Sequence, residues 1–147
     1  MLVTEFVRPE DVRHIRMNWL EAYYFVRDNI RYRPDPFWKD SWQYPLDTLS
    51  SRQGDCEDKA TLLCSILLAN GYRSYCRIAY VEHNGGKREY HVYVLVHVLG
   101  KWVPLDPSCQ ACPPGILGFR ELKTILDFNN KEIIVHDPRE AEDFIKR

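Results

Sequence analysis

The stretch from Gly54 to Gly71 constrains this chain most: Gly-Asp-Cys-Glu-Asp-Lys-Ala running into Thr-Leu-Leu-Cys-Ser-Ile-Leu-Leu-Ala-Asn-Gly. A glycine turn leads into an apolar helix. Asp55 stands at the N-cap and Asp58 three residues on, in the reciprocal position of a capping box. Asn70-Gly71 offers a left-handed stop at the far end. Cys56, Ala60, Leu63, Cys64 and Leu67 share one helical face, so the thiol of the first turn is turned toward the core. Free N–H groups and the positive end of the helix dipole there favour a thiolate. Such a cysteine suits a nucleophile; a buried structural cysteine is the plain alternative.

With 147 residues, 45% of them hydrophobic, the chain suits one domain over 1–147 with a sizeable core. A formal charge of -1 gives no electrostatic case for nucleic acid or an anionic membrane surface. No apolar run approaches a membrane span, and the N-terminal residues lack the basic and apolar regions of a signal peptide, so a soluble cytoplasmic protein is expected. Five cysteines, an odd number, leave at least one sulfur outside any intramolecular disulfide set.

Before the cysteine helix, the spacing of Val12, Ile15, Trp19, Ala22, Tyr23 and Val26 predicts one helix over Pro9 to Ile30, ended by Arg33-Pro34-Asp35-Pro36. Phe37 to Gln53 is an aromatic-rich connection with a helical turn around Pro45 to Leu49. After the helix the period becomes two. Strands are expected at Ser74 to Val81, Arg88 to Val98 and Lys101 to Asp106, then at Leu122 to Phe128, for which a helix is the alternative, and at Lys131 to His136, with a last helix from Pro138 to Arg147. Both faces of Arg88–Val98 are largely apolar, which places it inside a sheet, whereas Pro104 places the next strand near an edge. A turn centred on Leu99-Gly100 sets Asp106 opposite Tyr93 and diagonal to His91, roughly 7–8 Å away at the backbone and within reach of its imidazole. A one-residue slip would put Asp106 on the wrong face.

Cysteine at a helix start, histidine in a later strand and aspartate at the end of the next form a nucleophile–base–orienter set. At Gly54-Asp55-Cys56-Glu57-Asp58, His91-Val92-Tyr93-Val94 and Gly100-Lys101-Trp102-Val103-Pro104-Leu105-Asp106-Pro107-Ser108 the sequence resembles the transglutaminase-like superfamily, over roughly Asp40 to Ser108. The resemblance implies an α+β, papain-like fold with N-terminal helices and a buried cysteine helix packed on an antiparallel sheet. It also implies Cys56 as nucleophile, His91 as base, Asp106 as orienter and the Cys56 N–H in an oxyanion hole. Asp40-Ser41-Trp42-Gln43 looks like the bacterial cysteine proteinase branch and suggests Trp42 or Gln43 near the oxyanion. The expected activity is thiol-dependent acyl transfer or hydrolysis at an amide of a protein or peptide, with hydrolysis favoured over crosslinking and no cofactor. The alternatives are a binding or scaffold module that keeps the fold, and deglycosylation resembling peptide N-glycanases.

Asp55, Glu57 and Asp58 crowd the thiol with negative charge, which raises a thiol pKa unless the helix terminus and a charged His91 outweigh them. They are expected to cap the helix and pair with Arg52 or Lys59; Asp55 and Glu57 are also candidates for a calcium site, although no loop with calcium-site spacing surrounds them. Cys109-x-x-Cys112 stands alone, short of a four-ligand zinc site unless shared across a dimer, and reads first as an incidental pair or a local disulfide. His97 reads as a packed strand residue, and His14, His83 and His136 have no recognisable spacing.

Overall fold

Helix α3, Cys56–Ala69, is surrounded: every residue from Cys56 to Leu67 is buried in the computed structural model, which describes residues 1–38 and 41–147. Its cap is the one the sequence requires. Asp55 Oδ1 accepts from Cys56 N at 2.7 Å and Asp58 Oδ2 accepts from Asp55 N at 3.1 Å. At the other end Gly71 takes φ +87°, as a left-handed stop demands.

One side of α3 packs on a five-stranded antiparallel sheet, in the order β5-β4-β3-β6-β7: β3 Ser74–His83, β4 Arg88–Val98, β5 Lys101–Leu105, β6 Phe119–Phe128 and β7 Ile133–Val135. Cys76, Ile78, Val92, Val94, Val96, Leu126 and Phe128 supply the sheet's share of that core. Strand β4 lies inside the sheet and β5, with Pro104, forms its edge, as expected. Strand β6 begins at Phe119, three residues before the expected start, because β3 itself runs on to His83 and supplies pairing partners as far as His83↔Phe119.

The other sides of α3 are covered by α1, Trp19–Asn29, by α2, Pro45–Ser51, and by a 3-10 turn at Pro9–Val12, while an earlier 3-10 turn at Val3–Phe6 adds Val3 to the same core. The continuous helix expected from Pro9 to Ile30 is therefore broken. Asn18 and Glu21 form a capping box that starts α1 afresh, with Asn18 Oδ1 accepting from Glu21 N at 2.8 Å. The interruption is held from outside: Asn70 Nδ2 donates to Ile15 O at 2.9 Å and Asn70 Oδ1 accepts from Met17 N at 3.1 Å. At the end of α1 the buried Lys59 ammonium donates to Arg27 O and Ile30 O at 3.2 and 2.6 Å. The chain then forms β1, Arg31–Tyr32, parallel to β2, Gln53–Gly54. Helix α4, Pro138–Ile145, follows β7 and buries Phe144. Among the described residues no helix is long and apolar enough to cross a membrane.

The β4–β5 turn carries a local cost. Leu99 is 97% exposed and takes φ +51°, in the left-handed region where any Cβ crowds the following carbonyl oxygen, and Gly100 takes φ +79°. Two successive positive φ values are those of a tight hairpin turn that prefers Asn-Gly. Leu99→Asn is expected to stabilise the protein by about 0.5–1 kcal/mol, read as a higher urea midpoint at unchanged m. A lower midpoint would show that Leu99 makes contacts its exposure does not suggest.

Candidate active site

The hairpin register is the expected one. Val98 pairs with Lys101 and Val94 with Leu105, so Asp106, the first residue past β5, falls opposite Tyr93. From there its carboxylate reaches His91, with Oδ2 at 2.9 Å from Nε2 and both side chains about 95% buried. Asp106 Oδ1 also accepts from Ser108 N at 3.1 Å, and the Tyr23 hydroxyl donates to Asp106 O at 3.2 Å. A carboxylate accepting from Nε2 fixes the tautomer with its proton there and leaves Nδ1 as the acceptor of the neutral ring. The ring is held between Phe119 and His83, with centroids at 5.2 and 5.3 Å. Burial opposes charging His91, but the charge and hydrogen bond of Asp106 outweigh it and the pKa lies above its ordinary value.

Cys56, His91 and Asp106 line one cavity of about 630 Å³, together with Tyr32, Trp38 and Ser108. Cys56 itself is 2% exposed. Its Sγ faces the Glu57 carboxyl, 3.8 Å from Oε2. Burial, then the charges of Glu57 and Asp55, push the thiol pKa well up. Yet burial also lifts Glu57 to about 10, so near neutrality that carboxyl is protonated and the charge acting on the thiol is that of Asp55. The resting sulfur is a thiol, and it needs a base.

Several expectations are corrected by the geometry. The Cys56 N–H is occupied by Asp55 Oδ1 and is not free for an oxyanion. Gln43 Nε2 donates to Asp58 Oδ2 at 2.8 Å and Gln53 O at 3.2 Å, and its side chain lines a neighbouring depression instead of the Cys56 cavity. The Trp42 ring packs among Phe6, Trp38 and Phe128 in the core, its Nε1 without a partner among the described residues. Asp40 lies outside the described residues. Neither Arg52 nor Lys59 pairs with the acids of the cysteine turn: Lys59 is spent on α1, and the Arg52 guanidinium lies 5.9 Å from the centroid of the Phe25 ring.

The metal candidates also change. Ligand atoms of Asp55, Cys56 and Glu57 lie within 4.8 Å of one another, and Glu57 Oε1 is buried without a hydrogen-bond partner among the described residues. The two Asp55 oxygens, however, are taken by Cys56 N and by Asp35 N at 2.6 Å, and the third donor is sulfur. As arranged, this set falls short of the six to eight oxygens of a calcium site. Cys109 and Cys112 are joined in a disulfide, the local bridge that was one of the two first readings of the pair, which leaves no thiolate pair for zinc.

Three cavity residues were not singled out from the sequence. His83 pairs with Glu89 at 2.8 Å, Phe119 backs His91, and Tyr32 stands opposite Gly54 in the β1–β2 pair. Nothing in the local pattern marks them, because β1 is two residues long and the other two lie at strand ends. His97 packs against Trp102 at 5.0 Å between centroids, as a strand histidine should.

The sequence profile of the transglutaminase-like superfamily matches residues 5–107. Among solved structures, LapG of Legionella pneumophila superimposes with a TM-score of 0.63 at 17% identity, over 96% of this chain and 79% of that one. A candidate cysteine protease from Cytophaga hutchinsonii gives 0.62 at 15% identity, over 89% of this chain and 51% of that one. At these identities the likeness is one of fold, the papain-like arrangement of helix and antiparallel sheet. Human dynein regulatory complex subunit 7 is 40% identical over 62 residues, which are 40% of this chain and 7% of that protein.

Proposed function

Because the chain belongs to the transglutaminase-like superfamily, we propose that it is a thiol-dependent acyl-transfer enzyme acting at an amide of a protein or peptide, with Cys56 as nucleophile, His91 as base and Asp106 as orienter. The observation that carries this reading is the buried 2.9 Å contact of Asp106 with His91 Nε2 at a cavity that Cys56 also lines. His91 Nδ1 takes the thiol proton as sulfur attacks the carbonyl carbon, and the carbonyl electron pair moves to oxygen. Collapse of that intermediate forms the thioester and expels the amine, which leaves with the proton held by His91. Water or a second amine then attacks the thioester and gives a proton to His91; the C–S bond breaks, the acyl product leaves, and His91 passes that proton to sulfur. Asp106 holds the tautomer and stabilises the imidazolium in between.

The test is alkylation of the intact protein by iodoacetamide between pH 5 and 10, with sites read by mass spectrometry, beside His91→Ala. Cys56 is expected to label at least tenfold faster at pH 7.5 in the wild type than in the variant, and faster than the buried Cys64 and Cys76. Labelling indifferent to His91 would favour the second reading, a binding or scaffold module that retains the fold. The segment shared with a dynein regulatory subunit and the raised thiol pKa speak for that reading.

A further inference from the structure

An acyl-transfer site needs a donor for the oxygen that becomes negative when sulfur adds to the carbonyl. The candidates nearest in sequence are engaged or lie elsewhere: the Cys56 N–H is held by Asp55, the Gln43 amide by Asp58 and Gln53, and the Trp42 indole, unpartnered at Nε1 among the described residues, sits in the core outside the lining of the Cys56 cavity. Resting on the acyl-transfer reading above, we propose that the Tyr32 hydroxyl is the side-chain donor to this oxyanion.

Tyr32 is brought to the cavity by backbone geometry. Its partner in the β1–β2 pair is Gly54, two residues before Cys56. The backbone is fixed on both sides, by Arg31 N donating to Arg52 O at 2.8 Å and Arg33 N donating to Gly54 O at 2.9 Å. The residue lines the cavity with Cys56 and His91 and is 38% exposed, so a substrate can reach it. Burial, and beside it the Asp55 carboxylate, hold the pKa of its hydroxyl far above the ordinary phenol value. It therefore keeps its proton over the whole working range and hydrogen-bonds the oxyanion without transferring a proton to it.

The other donors in the cavity are less well placed. Lys87 is paired with Glu89, and the Tyr90 hydroxyl donates to Glu140. The Ser108 hydroxyl oxygen has no accessible surface. Trp38 remains as a rival, although its ring is stacked on Phe144 at 6.0 Å between centroids.

Two reagents separate a role at the oxyanion from a role at the thiol. Iodoacetamide alkylates sulfur by displacement at a saturated carbon and develops no oxyanion. p-Nitrophenyl acetate acylates it: the S–C bond forms, the carbonyl oxygen becomes negative, and the C–O bond then breaks to release p-nitrophenolate. In the full chain, Tyr32→Phe is expected to leave Cys56 alkylation within about twofold of wild type and to slow its acylation by about 10²-fold. Equal slowing with both reagents, or none with either, would overturn the proposal, as would the selective loss appearing in Trp38→Phe instead. A wild-type Cys56 that reacts with neither reagent would defeat the acyl-transfer reading itself and the proposal with it. A Cys56 that reacts with both while Tyr32→Phe changes nothing would defeat only the role of Tyr32.

Discussion

Asp106→Asn is expected to slow acylation of Cys56 by p-nitrophenyl acetate by about 10³- to 10⁴-fold at pH 7.5 while leaving the circular dichroism spectrum unchanged. The wild-type carboxylate accepts twice, from His91 Nε2 and from Ser108 N. A carboxamide has one acceptor oxygen and one donor nitrogen. If its oxygen keeps the Ser108 N–H, its NH₂ faces His91 and forces the tautomer protonated at Nδ1. The nitrogen that must receive the thiol proton is then already protonated.

The same substitution has a signature in stability. The His91 pKa is raised in the folded state, so the contribution of this group is full below its unfolded pKa of about 6.5 and is lost as pH rises through the folded value. Removing the carboxylate charge deletes that contribution. The deficit of Asp106→Asn in urea melts should be larger at pH 5 than at pH 8. Acylation within tenfold of wild type, or a deficit independent of pH, would remove Asp106 from the role of orienter.

Glu57→Gln should act in the opposite direction and make the protein more stable. Glu57 is wholly buried, and burial followed by the charges of Asp58 and Asp55 raises its pKa from 4.5 to about 10. A carboxyl raised in this way keeps a proton that the unfolded chain releases. Stability is full below about pH 4.5 and falls as pH rises from there toward 10, by up to ~1.4 kcal/mol per pH unit. Glutamine has the same shape and cannot ionise, so the variant should gain about 3 kcal/mol at pH 7 as an upper bound and nothing near pH 4.

The measurement is calorimetric melting at pH 4.5, 6 and 7.5. Melting points of variant and wild type should converge at the acid end and separate steadily above it. Lys59 does not blur this window, because its pKa, lowered from 10.5 to about 8 first by burial, adds stability with rising pH only above 8. A wild-type curve flat from pH 5 to 7.5, with no gain in the variant, would mean that Glu57 is ionised and stabilised by a partner in the folded state.

The helix at the centre of this fold was legible in the residues themselves. Asp55, Asp58 and Asn70-Gly71 bracket an apolar run, and caps and hydrophobic spacing are local properties that a chain carries wherever it is placed. The pairing of His91 with Asp106 was legible for a related reason: a two-residue turn at Leu99-Gly100 fixes a hairpin register, and the register fixes which side chains share a face. The break between Pro9–Val12 and Trp19 was not, because half of its cause is Asn70, more than fifty residues away, satisfying the backbone at Ile15 and Met17.

The electrostatic state of the thiol belongs to the tertiary structure as well. From the sequence, a helix start favours a thiolate. Buried among Asp55, Glu57 and Val92, with its own N–H already capped, the sulfur stays a thiol, since desolvation outweighs a dipole whose donors are in use. Tyr32 could be placed only by the fold, through a two-residue parallel pair too short to leave a pattern. Caps, periodicity and turn length therefore fixed the helix and the Asp106 register from within the chain, whereas burial and the partners brought from distant residues decided the proton on Cys56 and the donors around it.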